Sequence, residues 1–223
     1  RVSNKKMIFC EDYAAQKLVE KVLMYINKEQ YFDVVYYHGG EKTLVNHYMT
    51  PIALNRYLSQ KIYLMLDGDM KTDYVFNEDI LTKNQIEDDK YLERCVKDAY
   101  GMCLDTYPDS GNGNGRVDQK CEQYLSYLRY YKTNVFYLPG KMIPEEIILK
   151  SNYVDKMYKE ILNQYRIINA SNAKEVIRKI SEFDHGDGLH INDTISVLAN
   201  KWSQEESILK TELIDMINEI FNK

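Results

Sequence analysis

At 223 residues, 44% hydrophobic and 28% charged, the chain is long enough to bury a sizeable core and has the composition of a globular protein. It holds no apolar run of membrane-spanning length and no signal peptide, which argues against a membrane protein and leads us to expect a soluble, cytoplasmic one. Four cysteines (Cys10, Cys95, Cys103, Cys121) lack the Cys-x-x-Cys spacing of a zinc or redox pair and read as buried or free thiols, while the net charge of −5 disfavours nonspecific contact with phosphates.

Lys5-Lys6-Met7-Ile8-Phe9-Cys10 reads as a short apolar strand ending at Glu11. A helix follows, with Ala14, Leu18, Val22 and Ile26 at the spacing of one helical face and Asp12 at its positive end. Residues 32–37 form a second strand, followed by Gly39-Gly40 and a helix predicted over about residues 43–57. A third strand, Ile62-Tyr63-Leu64-Met65-Leu66, runs into Asp67-Gly68-Asp69, so two carboxylates stand where a buried strand surfaces. The alternation predicts an α/β fold with a mostly parallel sheet flanked by helices, and ligands of such sheets collect outside the carboxyl ends of the strands. Glu11, Asp67 and Asp69 would meet there. Asp-Gly is also an ordinary turn dipeptide, so the triplet alone reads equally well as a plain strand exit.

Residues 72–132 exceed what a simple crossover needs. Helical spacing over residues 87–104 (Tyr91, Cys95, Val96, Ala99, Met102, Cys103) and 117–131 (Cys121, Tyr124, Leu125, Leu128, Tyr131) predicts a helical insertion in the form of an α-hairpin. Its polar tip, residues 110–115, is expected to be mobile and the first point of proteolytic nicking. Residues 110–121 imitate a calcium loop through Asn112 and Asn114, but Ser110 and Cys121 stand where that loop needs Asp and Glu. A fourth strand enters Leu138-Pro139-Gly140-Lys141, and Pro144 opens a helix that carries Glu145. Residues 1–71 and 133–150 therefore form the sheet core around the insertion, and residues 151–223 a helical C-terminal region, with helices predicted over 153–165, 173–183 and 193–220. Asp184-His185-Gly186-Asp187-Gly188-Leu189-His190 gathers carboxylates and imidazoles, although an interhelical turn explains them as simply as a metal does. Among the 20 tyrosines, Tyr36-Tyr37 and Tyr130-Tyr131 could stack on bases, but helix-spaced tyrosines usually line a core.

A glutamate after the first strand and Asp-x-Asp after the third is similar to the signature of the Toprim fold, shared by topoisomerases, bacterial primases and a group of nucleases. The strand ending Leu138-Pro139-Gly140, with Pro144-Glu145 after it, resembles the fourth Toprim strand of the OLD (overcoming lysogenization defect) family, endonucleases in which an ABC-type ATPase domain precedes the Toprim domain. The resemblance covers about residues 5–150. It implies a Toprim-like sheet and a divalent-metal-dependent endonuclease hydrolysing phosphodiester bonds of DNA, with RNA as a further substrate class, in anti-phage defence. Two Mg²⁺ or Mn²⁺ ions would be held by Asp67, shared between them, with Asp69, Glu11 and Glu145 as further ligands. Glu11 would also be a catalytic carboxylate, and Lys141 the lysine that assists at the leaving group or transition state. The implied partners are an ABC-type ATPase domain or subunit and further copies of the chain. Because the sequence begins at Arg1 and contains no GxxxxGK[ST] loop, it reads as a fragment whose ATPase part lies elsewhere. Arg129, Lys132, Lys141 and Lys150 could contact phosphates, or serve as ordinary surface charge.

The chain departs from the family at one position. Many OLD sequences carry a second glutamate four residues after the first, where this chain has Ala15 with Gln16 beside it. That weakens the expectation of a second ion and keeps open a catalytically degenerate Toprim module serving assembly or regulation. A haloacid-dehalogenase-like (HAD-like) phosphatase would place Asp-x-Asp on its first strand with a threonine soon after. A phosphorelay receiver needs an acidic pair after the first strand, which Glu11-Asp12 only half imitates.

Overall fold

Four short strands, Lys6–Cys10 (β1), Phe32–Tyr36 (β2), Ile62–Leu66 (β3) and Val135–Tyr137 (β4), pair in the order β2-β1-β3-β4, all parallel, in a computed structural model that describes residues 5–109, 116–186 and 189–223. The register sets Cys10 beside Tyr36 on one side and Met65 on the other, and Leu66 beside Tyr137. All four carboxyl ends therefore lie along one edge. β3 is buried over its whole length, as a strand covered on both faces must be.

Helices Tyr13–Tyr25 (α1), Gly40–Thr43 (α2), Thr50–Leu54 (α3), Lys83–Ile86 (α4), Asp89–Tyr100 (α5) and Val117–Asn134 (α6) precede β4. Pro144–Leu149 (α7), Asn152–Met157 (α8), Lys159–Leu162 (α9), Ala173–His185 (α10), Ile191–Ser203 (α11) and Ile208–Asn222 (α12) follow it. Because side chains alternate along a strand, the sheet feeds two cores. Ile8, Cys10, Tyr63 and Met65 join Leu18 and Val22 of α1, Ile147 of α7 and Leu198 of α11, whereas Phe9, Leu64 and Leu66 join Leu92 and Val96 of α5 and Leu128 of α6. Truncating one such residue, as in Leu64→Ala, costs about 2–5 kcal/mol.

The helix predicted over residues 43–57 starts earlier and is less regular. Gly39 and Gly40 both adopt left-handed backbone (φ 118° and 68°), which lets the chain turn directly into α2, and a π-helical stretch, Leu44–Met49, links α2 to α3. Asn55 then leaves the helix, its side-chain oxygen accepting the N–H groups of Tyr57 and Leu58 at 3.0 and 3.1 Å.

Between β3 and β4, residues 72–132 carry the predicted helices α5 and α6, packed against each other. α6 runs straight into β4 and is itself the crossover from β3, and together with α5 it covers the second face of the sheet. The Tyr130 hydroxyl donates to Ile62 O at 2.8 Å, and Asn134 Nδ2 donates to Ser59 O and Ile62 O at 2.7 and 2.8 Å, fastening the end of α6 to the start of β3. The helical periodicity predicted α5 and α6, but periodicity does not say which surface receives an apolar face. The tip at residues 110–115, with the calcium-like positions Ser110, Asn112 and Asn114, lies outside the described residues. Cys121 is buried on α6 and so is no loop ligand.

The C-terminal helices close the first face. The predicted 193–220 helix is broken at residues 204–207, where Ser207 Oγ caps α12 by accepting Lys210 N–H at 3.1 Å. Asp184 accepts the Tyr158 hydroxyl at 2.7 Å, and His190 Nδ1 lies 3.2 Å from Asp193, so these polar groups have structural partners. Asp187 and Gly188 lie outside the described residues. Cys10, Cys95 and Cys121 are buried, Cys103 is exposed, and all are free. Among the described residues no helix is long and apolar enough to cross a membrane.

Candidate functional site

Each of the four strands sends its following segment to the carboxyl edge, and each delivers an acid. Glu11 leaves β1, Asp67 and Asp69 leave β3, Glu145 stands in the first turn of α7 after β4, and Glu41, which the sequence reading did not single out, stands in the first turn of α2 after β2. Asp67 and Glu145 are nearly sealed, at 6% and 5% exposure. Asp69 is exposed on a single turn, Gly68–Met70.

The loop that carries Asp67 is locked by its glycine. A Cβ on Gly68 would lie 2.3 Å from Leu138 O and 2.7 Å from Met142 N, and Gly68 N–H donates to Met142 O at 2.9 Å. Any other residue would push the β3 and β4 exits apart.

Burial and mutual repulsion act together on these acids. Burial is the main cause that lifts the Asp67 carboxyl from 3.8 to about 9, followed by the negative charges of Glu11, Asp12, Glu145 and Asp69. Glu145 rises to about 7 through burial and then Asp12, with Lys174 opposing. Glu41 also rises to about 7, through burial and the charges of Glu11 and Asp69. Glu11 is raised by burial and Asp12, against the pull of the backbone N–H groups of Asp67 and Glu41.

Three oxygens of this group are buried without a hydrogen-bond partner: Glu11 Oε2, Asp67 Oδ1 and Glu145 Oε2. An orphaned buried carboxylate oxygen costs several kcal/mol unless it is protonated or meets a cation. Oxygen donors of this kind suit a hard divalent ion such as Mg²⁺ or Mn²⁺. With the side chains as they stand, no three Asp, Glu, His or Cys groups among the described residues are set to hold one ion.

One flank carries its own cation. Lys174, in the first turn of α10, places its ammonium 3.5 Å from Asp12 Oδ2 and 3.7 Å from Glu145 Oε1. Burial would lower its pKa, but Glu145, Asp12 and Asp67 outweigh that and leave it raised. Asp12 also caps α1, its Oδ1 accepting Ala15 N–H at 2.9 Å.

The structure does not bring Lys141 into this group. It adopts left-handed backbone (φ 53°), and its ammonium forms an exposed ion pair with Asp73 at 3.3 Å. Arg129, another candidate phosphate contact, pairs with Glu78. Of Glu41 and Lys174, only Glu41 left a local trace in the sequence, an acid just after the Gly39-Gly40 turn at a strand exit.

Two of the larger concavities lie away from the acids. One of about 620 Å³ runs along β2 past Met7, Phe32 and Val34. Another of about 690 Å³ lies by Arg56, Tyr63 and Asn134 near the start of β3. The acidic group lines neither. Comparisons with protein-family models, with curated proteins and with solved structures find no match to the chain.

Proposed function

We propose that the chain is the nuclease part of an ATPase-nuclease of the OLD type, hydrolysing phosphodiester bonds of nucleic acid with the help of Mg²⁺ or Mn²⁺. The observation that carries this reading is the set of orphaned, buried carboxylate oxygens on Glu11, Asp67 and Glu145 at the carboxyl edge of the parallel sheet. Glu11, Asp67, Asp69 and Glu145 would hold the ions. Bound there, such ions stabilise charge on a phosphoryl oxygen and lower the pKa of a water.

The chain's own residues do the rest. Lys174 is protonated at neutral pH, 65% exposed and tethered by Asp12 and Glu145, so its ammonium is available to a phosphate oxygen of the substrate or to the leaving oxygen. It takes the role that the family resemblance gave to Lys141. Asp12 positions Lys174 and anchors α1 with the same carboxylate. Gly68 holds Asp67 at a fixed distance from the β4 exit. Anti-phage defence, an ABC-type ATPase partner, a homo-oligomeric assembly and DNA as the substrate are part of the same proposal and rest on the motif resemblance.

The test is cleavage of supercoiled plasmid and of single-stranded RNA with Mg²⁺ or Mn²⁺, with and without EDTA. Cutting that EDTA stops, and that Asp67→Asn lacks, is expected. One feature favours a second reading, a degenerate module serving assembly or regulation: Ala15 is fully buried, so α1 offers no ligand at that turn. A chain that binds Mn²⁺ yet cuts neither substrate would be that module.

A further inference from the structure

We propose that Glu41 is a cation ligand of this site, supplying from the β2 exit the carboxylate that α1 lacks at Ala15. The proposal rests on the metal-dependent reading above and extends it to a residue outside the Toprim motifs.

Strand order places Glu41 where it is needed. β2 neighbours β1 on the side away from β3, with Tyr36 in register beside Cys10, so the segment after β2 emerges next to Glu11. Two consecutive left-handed glycines, Gly39 and Gly40, turn the chain into α2 within a few residues of the strand end. Room at this turn is short, since a Cβ on Gly39 would stand 2.6 Å from Thr43 Oγ1. The turn leaves Glu41 half-buried, with its carboxylate within electrostatic reach of Glu11 and Asp69 and its own N–H facing the Glu11 carboxylate. Glu11 is thus flanked by Asp67 on one side and Glu41 on the other.

Charge balance divides the group into two halves. Lys174 neutralises the half made by Asp12 and Glu145. Among the described residues, none of Glu11, Glu41, Asp67 and Asp69 has an ion-pair partner. Within that half Asp67 Oδ1 has no hydrogen-bond partner, on a side chain more than nine-tenths buried, and Glu11 Oε2 has none either. Lys42 and Lys174 act on Glu41 and Asp67 only from a distance, so a half-shell of carboxylates with no paired cation is a binding place for an external one, and its hardness and charge select Mg²⁺ or Mn²⁺ over softer ions.

The measurement is Mn²⁺ stoichiometry and affinity for the whole chain, followed by calorimetry and by loss of the free-ion paramagnetic resonance signal, on wild type, Glu41→Gln and Glu41→Asp. The expected result is that Glu41→Gln loses one bound ion or weakens one by at least ten-fold, with Glu41→Asp intermediate and the circular-dichroism spectrum in EDTA unchanged. Equal stoichiometry and affinity in wild type and Glu41→Gln would overturn the role of Glu41 while leaving the metal site intact. A wild type that binds no Mn²⁺ would overturn the metal-dependent reading, and this proposal with it. If Glu41→Gln fails to fold, Glu41→Asp decides: wild-type binding overturns the proposal, and weakened binding with a native spectrum upholds it.

Discussion

Lys174 Nζ and Glu145 Oε1 lie 3.7 Å apart, the carboxylate almost fully buried and the lysine side chain 65% exposed. The buried partner fixes the pair while the exposed one faces outward, so the lysine can meet a large substrate without leaving its anchor.

Lys174→Ala should therefore lower the turnover of nucleic-acid cleavage by about 10²–10³-fold, the range for losing one electrostatic stabiliser of a transition state. Lys141→Ala should change it by less than about five-fold, because an exposed ion pair contributes at most about 1 kcal/mol. Single-turnover rates for both variants against the same oligonucleotide decide between the two lysines, and the reverse ranking would return the role to Lys141.

Asp67 makes the protein's stability depend on pH in a stated direction. Its folded pKa of about 9 stands above its ordinary 3.8, so the folded state holds the extra proton throughout that interval. The contribution is fully present below about pH 4 and is lost as the pH rises through 9. In EDTA, Asp67→Asn should be more stable than wild type at pH 8, and the difference in Tm should grow steadily from pH 5 to pH 9. A constant difference would mean that burial and the neighbouring acids do not raise the Asp67 carboxyl in the folded state.

The same variant should separate stability from metal binding. Wild type should gain Tm on addition of Mn²⁺, by an amount that rises with ion concentration. Asp67→Asn should gain little and cut nothing. Thermal scans across a Mn²⁺ series, with and without EDTA, check both halves.

Gly68→Ala should destabilise the fold by about 1–3 kcal/mol, since the new methyl meets main-chain atoms that have no rotamer to give. In a domain of this size each kcal/mol lowers Tm by about 2–4 °C. Weaker Mn²⁺ binding should accompany it, because Asp67 moves with the displaced loop. A Gly68→Ala protein with native Tm would contradict the close approach of the two strand exits.

What the sequence showed and what it hid divide by range. β1, α1, β2 and β3 are visible because their signals are local: a short apolar run, a helical stripe, a strand breaking into Asp-Gly-Asp. Glu11, Asp67 and Asp69 follow from those same strand exits, and Glu145 from the Pro144 helix start. Lys174 is invisible to such reading, since it reaches the acids only through the packing of α10 against α7. Lys141 follows Leu138-Pro139-Gly140 closely, yet two successive left-handed residues, Gly140 and Lys141, decide its direction, and no periodicity records that turn. Helices α5 and α6 were legible as helices but not as the shell of the sheet, because an amphipathic stripe fits a partner helix and a sheet face equally well.

The main-chain contact at Gly68 also makes the acidic edge mechanically lopsided. With Gly68 N–H bonded to Met142 O and Leu138 N–H bonded to Leu66 O, the segments bearing Asp67 and Glu145 are joined into one stiff piece. The opposite side hangs on Gly39 and Gly40, the most freely rotating residue type in any chain. Adjustment to an incoming ion should thus fall on the β2 side, moving a few light atoms while the larger part stays still, so that the edge works as an anvil with one yielding jaw.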